Sequence, residues 1–450
     1  MRRDQNGQVD RSPVSGRRIW AISLPLLLAE VGEAVIHVTD TALLARLGTL
    51  QLGAIALADE AHEIWLAPAV GLAQGLQIQI ARRVGERRGD AMLAAFRRGF
   101  ALTAVLGAAL SIGLALAAPH VGELLAPPGR MGDAIGSFLR ISALGLFVEA
   151  LNLAYGGLVV GTARTRILIV VTSQVALTNF LFGYVLIFGR LGLPALGMDG
   201  AAWAYVITEA ITFVILSGYI RRRYGPWYRR RSGAPSEAGG ARPLLRLALP
   251  VALDVLLDST RWLAFFLIIS RVSQDMLAMS NVVYSVFNVL ILPTDAFRET
   301  VVSLVSRLIG FGRGSRIGAF MRAIVPRGYL ATLPLAAVTS LFPGIVLSIF
   351  GSDVTGIAGG ETALRLVALS MLLVAPAEMW LAVLEGAAAT DTALILSVVW
   401  TAIVLGWAYV ATSAGLDLPY LWLGIPVGSA VTLVAAYLWV HGEHWRHRSI

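Results

Sequence analysis

Long apolar runs separated by short polar segments dominate this chain. Runs long enough to cross a bilayer as helix, about 20 residues each, fall near 19–46, 52–82, 93–118, 134–161, 167–189, 200–220, 244–270, 276–306, 323–350, 362–384, 392–413 and 419–440. The pattern predicts twelve membrane helices, six in each half. Prolines 25, 68, 250 and 293 fall inside four of them, where each removes a backbone donor and permits a bend.

The two halves repeat one another. Adding 225 to a position in the first half takes Pro25 to Pro250, Glu33 to Asp258, Arg46 to Arg271, Pro68 to Pro293 and Gln74 to Glu299. The same shift takes Arg82 to Arg307, Gly85 to Gly310 and Arg97 to Arg322. One register held across several helices signals a duplicated unit. An even number of helices per half sends both halves into the membrane in the same direction, the parallel form of transporter repeat. The expected fold is therefore an all-α polytopic membrane protein, with twelve transmembrane helices in two pseudo-symmetric six-helix lobes. Residues 1–16 read as a cytoplasmic N-terminal tail, 17–221 as the N-lobe (helices 1–6) and 222–242 as a cytoplasmic linker. Residues 243–441 read as the C-lobe (helices 7–12) and 442–450 as a cytoplasmic tail.

Composition agrees: 57% of residues are apolar and 14% charged, against roughly a quarter charged in soluble domains. The net charge of +8 comes entirely from arginine, since the chain contains no lysine. Those arginines alternate between loops. Arg2, Arg3, Arg11, Arg17 and Arg18, then Arg82, Arg83, Arg87, Arg88, Arg97 and Arg98, then Arg164 and Arg166, and Arg221–Arg223 with Arg229–Arg231 lie on one side. The other side holds little beyond Arg46, Arg130, Arg190 and Arg271. By the positive-inside rule both termini are expected in the cytoplasm. This distribution argues against nucleic-acid binding. With no cysteine, disulfides, thiolate metal sites and cysteine nucleophiles are excluded. The first apolar run is too long for a signal peptide and has no small-residue cleavage site. His441, His444 and His447 have metal-like spacing, but an exposed basic tail at a membrane surface is the better reading, and no metal site is expected.

Charges inside the membrane are costly, about 2.5–3.5 kcal/mol each at a helix centre on insertion scales, and so mark functional candidates. Helix 1 carries Glu30, Glu33, His37 and Asp40, of which Glu33, His37 and Asp40 share one face (i, i+4, i+7). Helix 2 adds Asp59, Glu60, His62 and Glu63, and helix 6 adds Glu209. In the second half helix 7 has Asp254, Asp258 and Arg261, helix 8 has Asp295, Arg298 and Glu299, and helix 10 has Glu378 and Glu385. An acid in a low-dielectric cavity can hold a proton in one conformation and release it in another, and His37 could extend such a relay. The same oxygens could instead collect Na+. An internal ion-pair network is the competing reading for Asp254, Asp258, Asp295 and Glu299, because Arg261 and Arg298 lie within a turn of them.

Several segments resemble the multidrug and toxic compound extrusion (MATE) transporters over essentially the whole chain. They are Thr39–Gly48 (TDTALLARLG), Gln79–Gly85 (QIARRVG), Gly157–Thr165 (GLVVGTART), Asn179–Gly189 and Leu193–Ala202 (LPALGMDGAA). The resemblance implies two six-helix lobes, cation-coupled antiport by alternating access, and amphiphilic, often cationic, substrates. It maps the family's helix 1 acid to Asp40 and its helix 5 asparagine to Asn179. Glu33 stands where the family often has a polar residue facing the same cavity. The helix 5 acid is replaced by Gly183, and the helix 6 position that is commonly Thr is Tyr205. Glu33, Asp59 or Glu63 could supply the missing oxygen.

The expected function is export of amphiphilic organic cations or drugs across a bacterial inner membrane by a cation-coupled antiporter, with H+ the first candidate and Na+ the second. Cation coupling is assigned to Asp40, Glu33, Asn179 and His37. Asp59, Glu63, Asp254, Asp258, Asp295, Glu299 and Glu378 are further candidates for cavity acids. No cofactor beyond the coupling ion is expected, and the partners are the lipid bilayer and small-molecule organic cations, with the chain a monomer. The alternative is a flippase for a lipid-linked precursor, which would need basic residues to hold a pyrophosphate, whereas embedded acids outnumber arginines here. An enzyme is not expected: His62-Glu63 does not extend to a His-Glu-x-x-His zinc pattern.

Overall fold

The computed structural model describes residues 15–126, 129–229, 241–350 and 359–442; the side chains at 37, 38, 40–42, 45, 49, 52 and 225–229 lie outside that description. So do nearly all of both expected tails, with His444 and His447, and much of the expected linker. Twelve long helices make up most of the described chain. They are α1 (Gly16–Ala45), α2 (Thr49–Gly85), α3 (Gly89–Leu125), α4 (Arg130–Gly161), α5 (Arg166–Phe188) and α6 (Met198–Arg229) in the first half. The second half has α7 (Arg242–Ser270), α8 (Gln274–Gly310), α9 (Ile317–Leu341), α10 (Gly360–Gly386), α11 (Thr390–Ser413) and α12 (Gly424–His441). No strand occurs among the described residues. Every expected apolar run is matched by a helix. Eleven of the twelve are long and apolar enough to cross a membrane; α7, the twelfth, carries Asp254, Asp258 and Arg261 in its middle.

Local chemistry explains where the helices depart from the apolar runs. The run at 323–350 is broken at Phe342, whose helical geometry Pro343 disfavours: Phe342 sits at φ −125°, ψ 51°, and a short helix, Pro343–Ser348, starts afresh. The run at 419–440 opens with a single turn, Leu418–Leu421, before α12 begins. Helix α6 continues to Arg229, past residue 222 where the polar linker was expected to start. Prolines 25, 68, 250 and 293 all lie inside continuous helices.

The 225-residue repeat is visible in backbone detail. Helices α2 and α8 have the same bounds once shifted by 225. Positive φ, uncommon for residues with a Cβ, recurs at paired positions: Ala163 (49°) with Ala388 (67°), and Arg87 (59°) with Gly312 (69°).

The chain divides into two compact units. The C-terminal unit is built from the described parts of Met1–Leu27, Ala81–Arg87 and Leu263–Ser449, and the N-terminal unit from Leu28–Ile80 and Arg88–Trp262. The division passes through α1, α2 and α7, and the packing says why. In the C-terminal unit the start of α1 lies on α8, with Ser23 Oγ 2.8 Å from Thr300 Oγ1, both buried. Beside them Trp20 stands edge-on to Phe297 at 5.5 Å. In the N-terminal unit the start of α7 lies on α2, so close that a Cβ on Gly71 would come 2.5 Å from the Ala248 carbonyl oxygen and 2.7 Å from the Ala252 nitrogen. Gly75 and Ala248 are also in contact, and shifted by 225 this pair corresponds to Thr300 and Ser23. Each repeat thus begins its first helix against the second helix of the other.

A third close approach joins the ends of α2 and α8 within the C-terminal unit. A Cβ on Gly85 would collide with the Arg307 carbonyl, and one on Gly310 with the Arg82 carbonyl. The two collisions are images of each other under the 225 shift. Small residues that let backbones meet drive helix association in lipid, where apolar surface gains nothing by leaving a solvent that is itself apolar.

Gly85→Val is expected to destabilise the protein by about 1–3 kcal/mol through overpacking. Gly156→Ala, at a helical position where a Cβ meets nothing within 4 Å, is expected to be neutral or stabilising. Thermal unfolding of both variants in detergent measures the contrast, and equal midpoints would show that the crossing is not tight.

Candidate functional site

The N-terminal unit holds a hydrogen-bonded cluster of acids built by α2, α4 and α6. On α4, Gly145, Glu149 and Asn152 follow one another at helical spacing (i, i+4, i+7), and on α6 Tyr205 and Glu209 do the same (i, i+4). Gly145 makes the arrangement possible, because a Cβ there would occupy the space of the Tyr205 ring. The ring lies across α4 and its hydroxyl donates to Glu149 Oε2 at 2.5 Å. His62 Nε2, from α2, stands 3.1 Å from the same oxygen and 3.2 Å from the Tyr205 hydroxyl. The imidazole and phenol rings meet edge to face with centroids 5.3 Å apart. One turn further along, Asn152 Nδ2 donates to Glu209 Oε2 at 2.8 Å and to the Glu209 carbonyl at 3.0 Å. The result is a two-rung ladder, in which tyrosine serves one carboxyl and asparagine the other.

Two polar atoms of this ladder, His62 Nδ1 and Asn152 Oδ1, are buried without a partner among the described residues. Around it stand more acids. Glu33 of α1 lies within electrostatic reach of Glu63, Glu149 and Glu209, and Asp59 and Glu63 act on His62. A neutral polar seam between α5 and α6 adjoins the cluster. Thr212 donates to Gln174 Oε1 at 3.0 Å, Gln174 Nε2 donates to Thr178 at 3.0 Å, and Thr178 and Thr208 hydroxyls share a bond of 3.1 Å.

A cleft of about 140 Å³ opens between α1 and α5, lined by Val35, Ile36, Thr39, Ala176, Asn179 and Phe180. Asn179 therefore stands beside the part of α1 that carries Asp40. The side chains of Asp40 and His37 lie outside the described residues. Gly183, where an acid was expected by resemblance, faces an apolar neighbour: a Cβ there would meet Leu43 Cδ1 at 3.5 Å. That corner of α5 contributes no second acid.

Acids of the second repeat find arginines. Arg298 of α8 reaches Glu385 of α10 at 2.5 Å and Glu378 at 3.6 Å, and the Glu385 side chain is only 3% exposed. On α7, Asp258 pairs with Arg261 at 2.7 Å. Asp254, one turn before it, has a buried Oδ1 with no hydrogen-bond partner among the described residues, while Asp295 and Glu299 are half-buried on α8. Glu378 and Asp258 thus sit in ion pairs, and the equivalence of Glu33 and Asp258 in the repeat does not extend to their surroundings. Among the described residues no three His, Asp or Glu side chains gather with metal-ligand geometry.

Sequence reasoning missed Glu149, the acceptor at the centre of the cluster. The signal was present, since Glu149 is an acid in the middle of the apolar run 134–161 and meets the criterion that selected Glu33. Tyr205 was read only as a departure from a threonine, and its ring turns out to organise the site.

The MatE family model matches residues 25–185 and again residues 250–410, two copies offset by 225 at both ends. The chain belongs to the MatE family. Among MatE relatives, the probable multidrug resistance protein NorM of Aromatoleum aromaticum is 26% identical over 357 residues, 79% of this chain and 75% of the relative. The probable multidrug resistance protein YoeA of Bacillus subtilis is 23% identical over 440 residues, 96% of this chain and 94% of the relative. A solved outward-facing multidrug resistance MATE family transporter of the MOP superfamily superposes with a TM-score of 0.88 at 20% identity, covering 97% of both chains. A MOP superfamily transporter from Pyrococcus furiosus superposes at 0.85, also 20% identical, over 95% of both. This MatE chain is a polytopic membrane transporter with two six-helix repeats.

Arg298→Gln leaves Glu385 buried without its counter-charge and is expected to cost about 3–5 kcal/mol. Adding Glu385→Gln should return most of that loss. Unfolding midpoints of the single and double variants report the coupling, and additive losses would show that the pair is not stabilising the fold.

Proposed function

We propose that this chain exports amphiphilic organic cations, drugs among them, in exchange for protons by alternating access. The observation that carries the reading is the contrast between the two acid clusters. In the N-terminal unit the hydrogen-bond partners of Glu149 and Glu209 are tyrosine, histidine and asparagine, and among the described residues the groups acting on Tyr205 and Glu209 include other acids but no arginine. Such a site is short of positive charge. A cationic substrate or a proton can supply it, and the two then compete, which is the coupling an exchanger needs.

The donors around the carboxyls favour H+ over Na+. A sodium ion is held by several oxygens presenting lone pairs, whereas Tyr205 and Asn152 present hydrogens to Glu149 and Glu209. Asp40 is proposed as the α1 coupling carboxylate, on the stretch of helix that faces Asn179 across the cleft, with Glu33 linking it to the cluster. The names of the NorM and YoeA relatives support drugs as substrates. The one-sided arginine distribution supports a bacterial inner-membrane protein with both termini in the cytoplasm. A flippase for lipid-linked pyrophosphates is disfavoured by the same acid-rich cluster.

Efflux of ethidium from proteoliposomes, driven in turn by a pH gradient and by a Na+ gradient, tests the proposal. Wild type should move ethidium under the pH gradient alone, and Asp40→Asn should reduce that movement to the level of empty liposomes while remaining folded. Movement under the Na+ gradient only would reverse the ion assignment, and full activity of Asp40→Asn would remove Asp40 from coupling.

A further inference from the structure

We infer that Glu149 of α4 takes up and releases a transported proton alongside the α1 carboxylate Asp40, with Tyr205 and His62 as its positioning residues, in place of the α5 acid absent at Gly183. The inference rests on the proton-coupled reading above and names a second group that carries a proton.

Three features converge on Glu149. First, its Oε2 receives both the Tyr205 hydroxyl at 2.5 Å and His62 Nε2 at 3.1 Å, while Oε1 has no hydrogen bond among the described residues. The carboxyl is thus held in one orientation with one oxygen available to a proton. Second, the local backbone is arranged for this contact: Gly145, one turn earlier on α4, leaves the space that the Tyr205 ring fills. A ring admitted only by a glycine, and aimed at a single carboxylate oxygen, is a specific arrangement. Third, Glu149 sits among other acids and faces none of the arginines that neutralise Glu378, Glu385 and Asp258. The titratable groups facing it are Glu33 from α1, His62 from α2, and Tyr205 and Glu209 from α6, with Asp59 and Glu63 of α2 acting on His62.

The exchange follows from charge balance. A protonated Glu149 gives its proton to water as an organic cation enters, leaving a carboxylate beside the cation. When the cation has left, the carboxylate takes a proton from water on the other side, and the Tyr205 O–H bond stays intact throughout.

A purely structural clamp would hold α2, α4 and α6 together without making binding depend on pH. The test therefore measures protons released when ethidium binds the full-length protein in weakly buffered detergent, together with pH-driven ethidium efflux from proteoliposomes. Wild type should release about one proton for each ethidium bound. Glu149→Gln should still bind ethidium but release fewer protons than wild type, with an affinity that changes less with pH, and should lose pH-driven efflux. Tyr205→Phe, which keeps the ring on Gly145, should retain proton release while moving the pH of half-maximal efflux, and it serves as the second variant if Glu149→Gln does not fold. Proton release by Glu149→Gln equal to that of wild type, or an unshifted pH profile in Tyr205→Phe, would overturn the assignment while leaving proton coupling intact. Wild type that moves no ethidium under a pH gradient would overturn both.

Discussion

A charge moved from water into a low-dielectric interior loses several kcal/mol of solvation unless a partner replaces the lost water, and the buried acids of this chain are arranged around that cost. Glu385 and Glu378 meet it with Arg298, while Asp258, whose side chain is 56% exposed, pairs with Arg261. Those pairs cancel charge, and the ones at Arg298 also tie α8 to α10. Glu149 and Glu209 meet the cost with donors from tyrosine and asparagine, which hold a carboxyl in place without cancelling it. The same constraint therefore produces an ion-pair network around Arg298 in the C-terminal unit and, in the N-terminal unit, an oriented pair of carboxyls held by tyrosine, histidine and asparagine. The second arrangement is the one the proposed exchange uses.

Helix packing makes such placement possible. Lipid supplies little apolar driving force between helices, so close backbone contact at small residues has to supply it. Gly71 and Gly75 bring α7 onto α2, and Gly85 and Gly310 bring the ends of α2 and α8 together. Gly145 belongs to the same class but has a different use: the space it leaves is taken by a tyrosine ring from α6. A glycine in an apolar helix of this chain can therefore serve the packing of the fold or the geometry of the site, and its neighbours decide which.

The repeat links these features. A duplicated unit starts with equivalent positions in both halves, and the matching bounds of α2 and α8 and the paired positive φ at Ala163 and Ala388 preserve that origin. Side chains have since diverged. The 225 shift takes His62 to Phe287, Glu149 to Val374 and Tyr205 to Ala430, so an aromatic ring and two aliphatic side chains stand where the first repeat has its imidazole, carboxyl and phenol. The cluster around Glu149 thus has no counterpart of the same chemistry in the second repeat.

Much of the fold was legible in the order of residues, because hydrophobicity and bilayer thickness act on each segment separately. Twelve apolar runs, a constant offset and alternating arginines depend on no distant contact, and most helices follow their runs, apart from the breaks at Pro343 and at the turn before α12. The place of Asn179 on α5 was legible for the same reason, as one position in a recognisable segment. The partners of the acids were not. Whether Glu378 meets Arg298, or Glu149 meets Tyr205 and His62 across 56 and 87 positions of chain, depends on which faces of distant helices are turned together. Residue order fixes that charges enter the membrane and roughly at which point of each helix. Packing fixes which of those charges are cancelled and which remain available, since that turns on distances of a few ångströms between helices far apart in the chain.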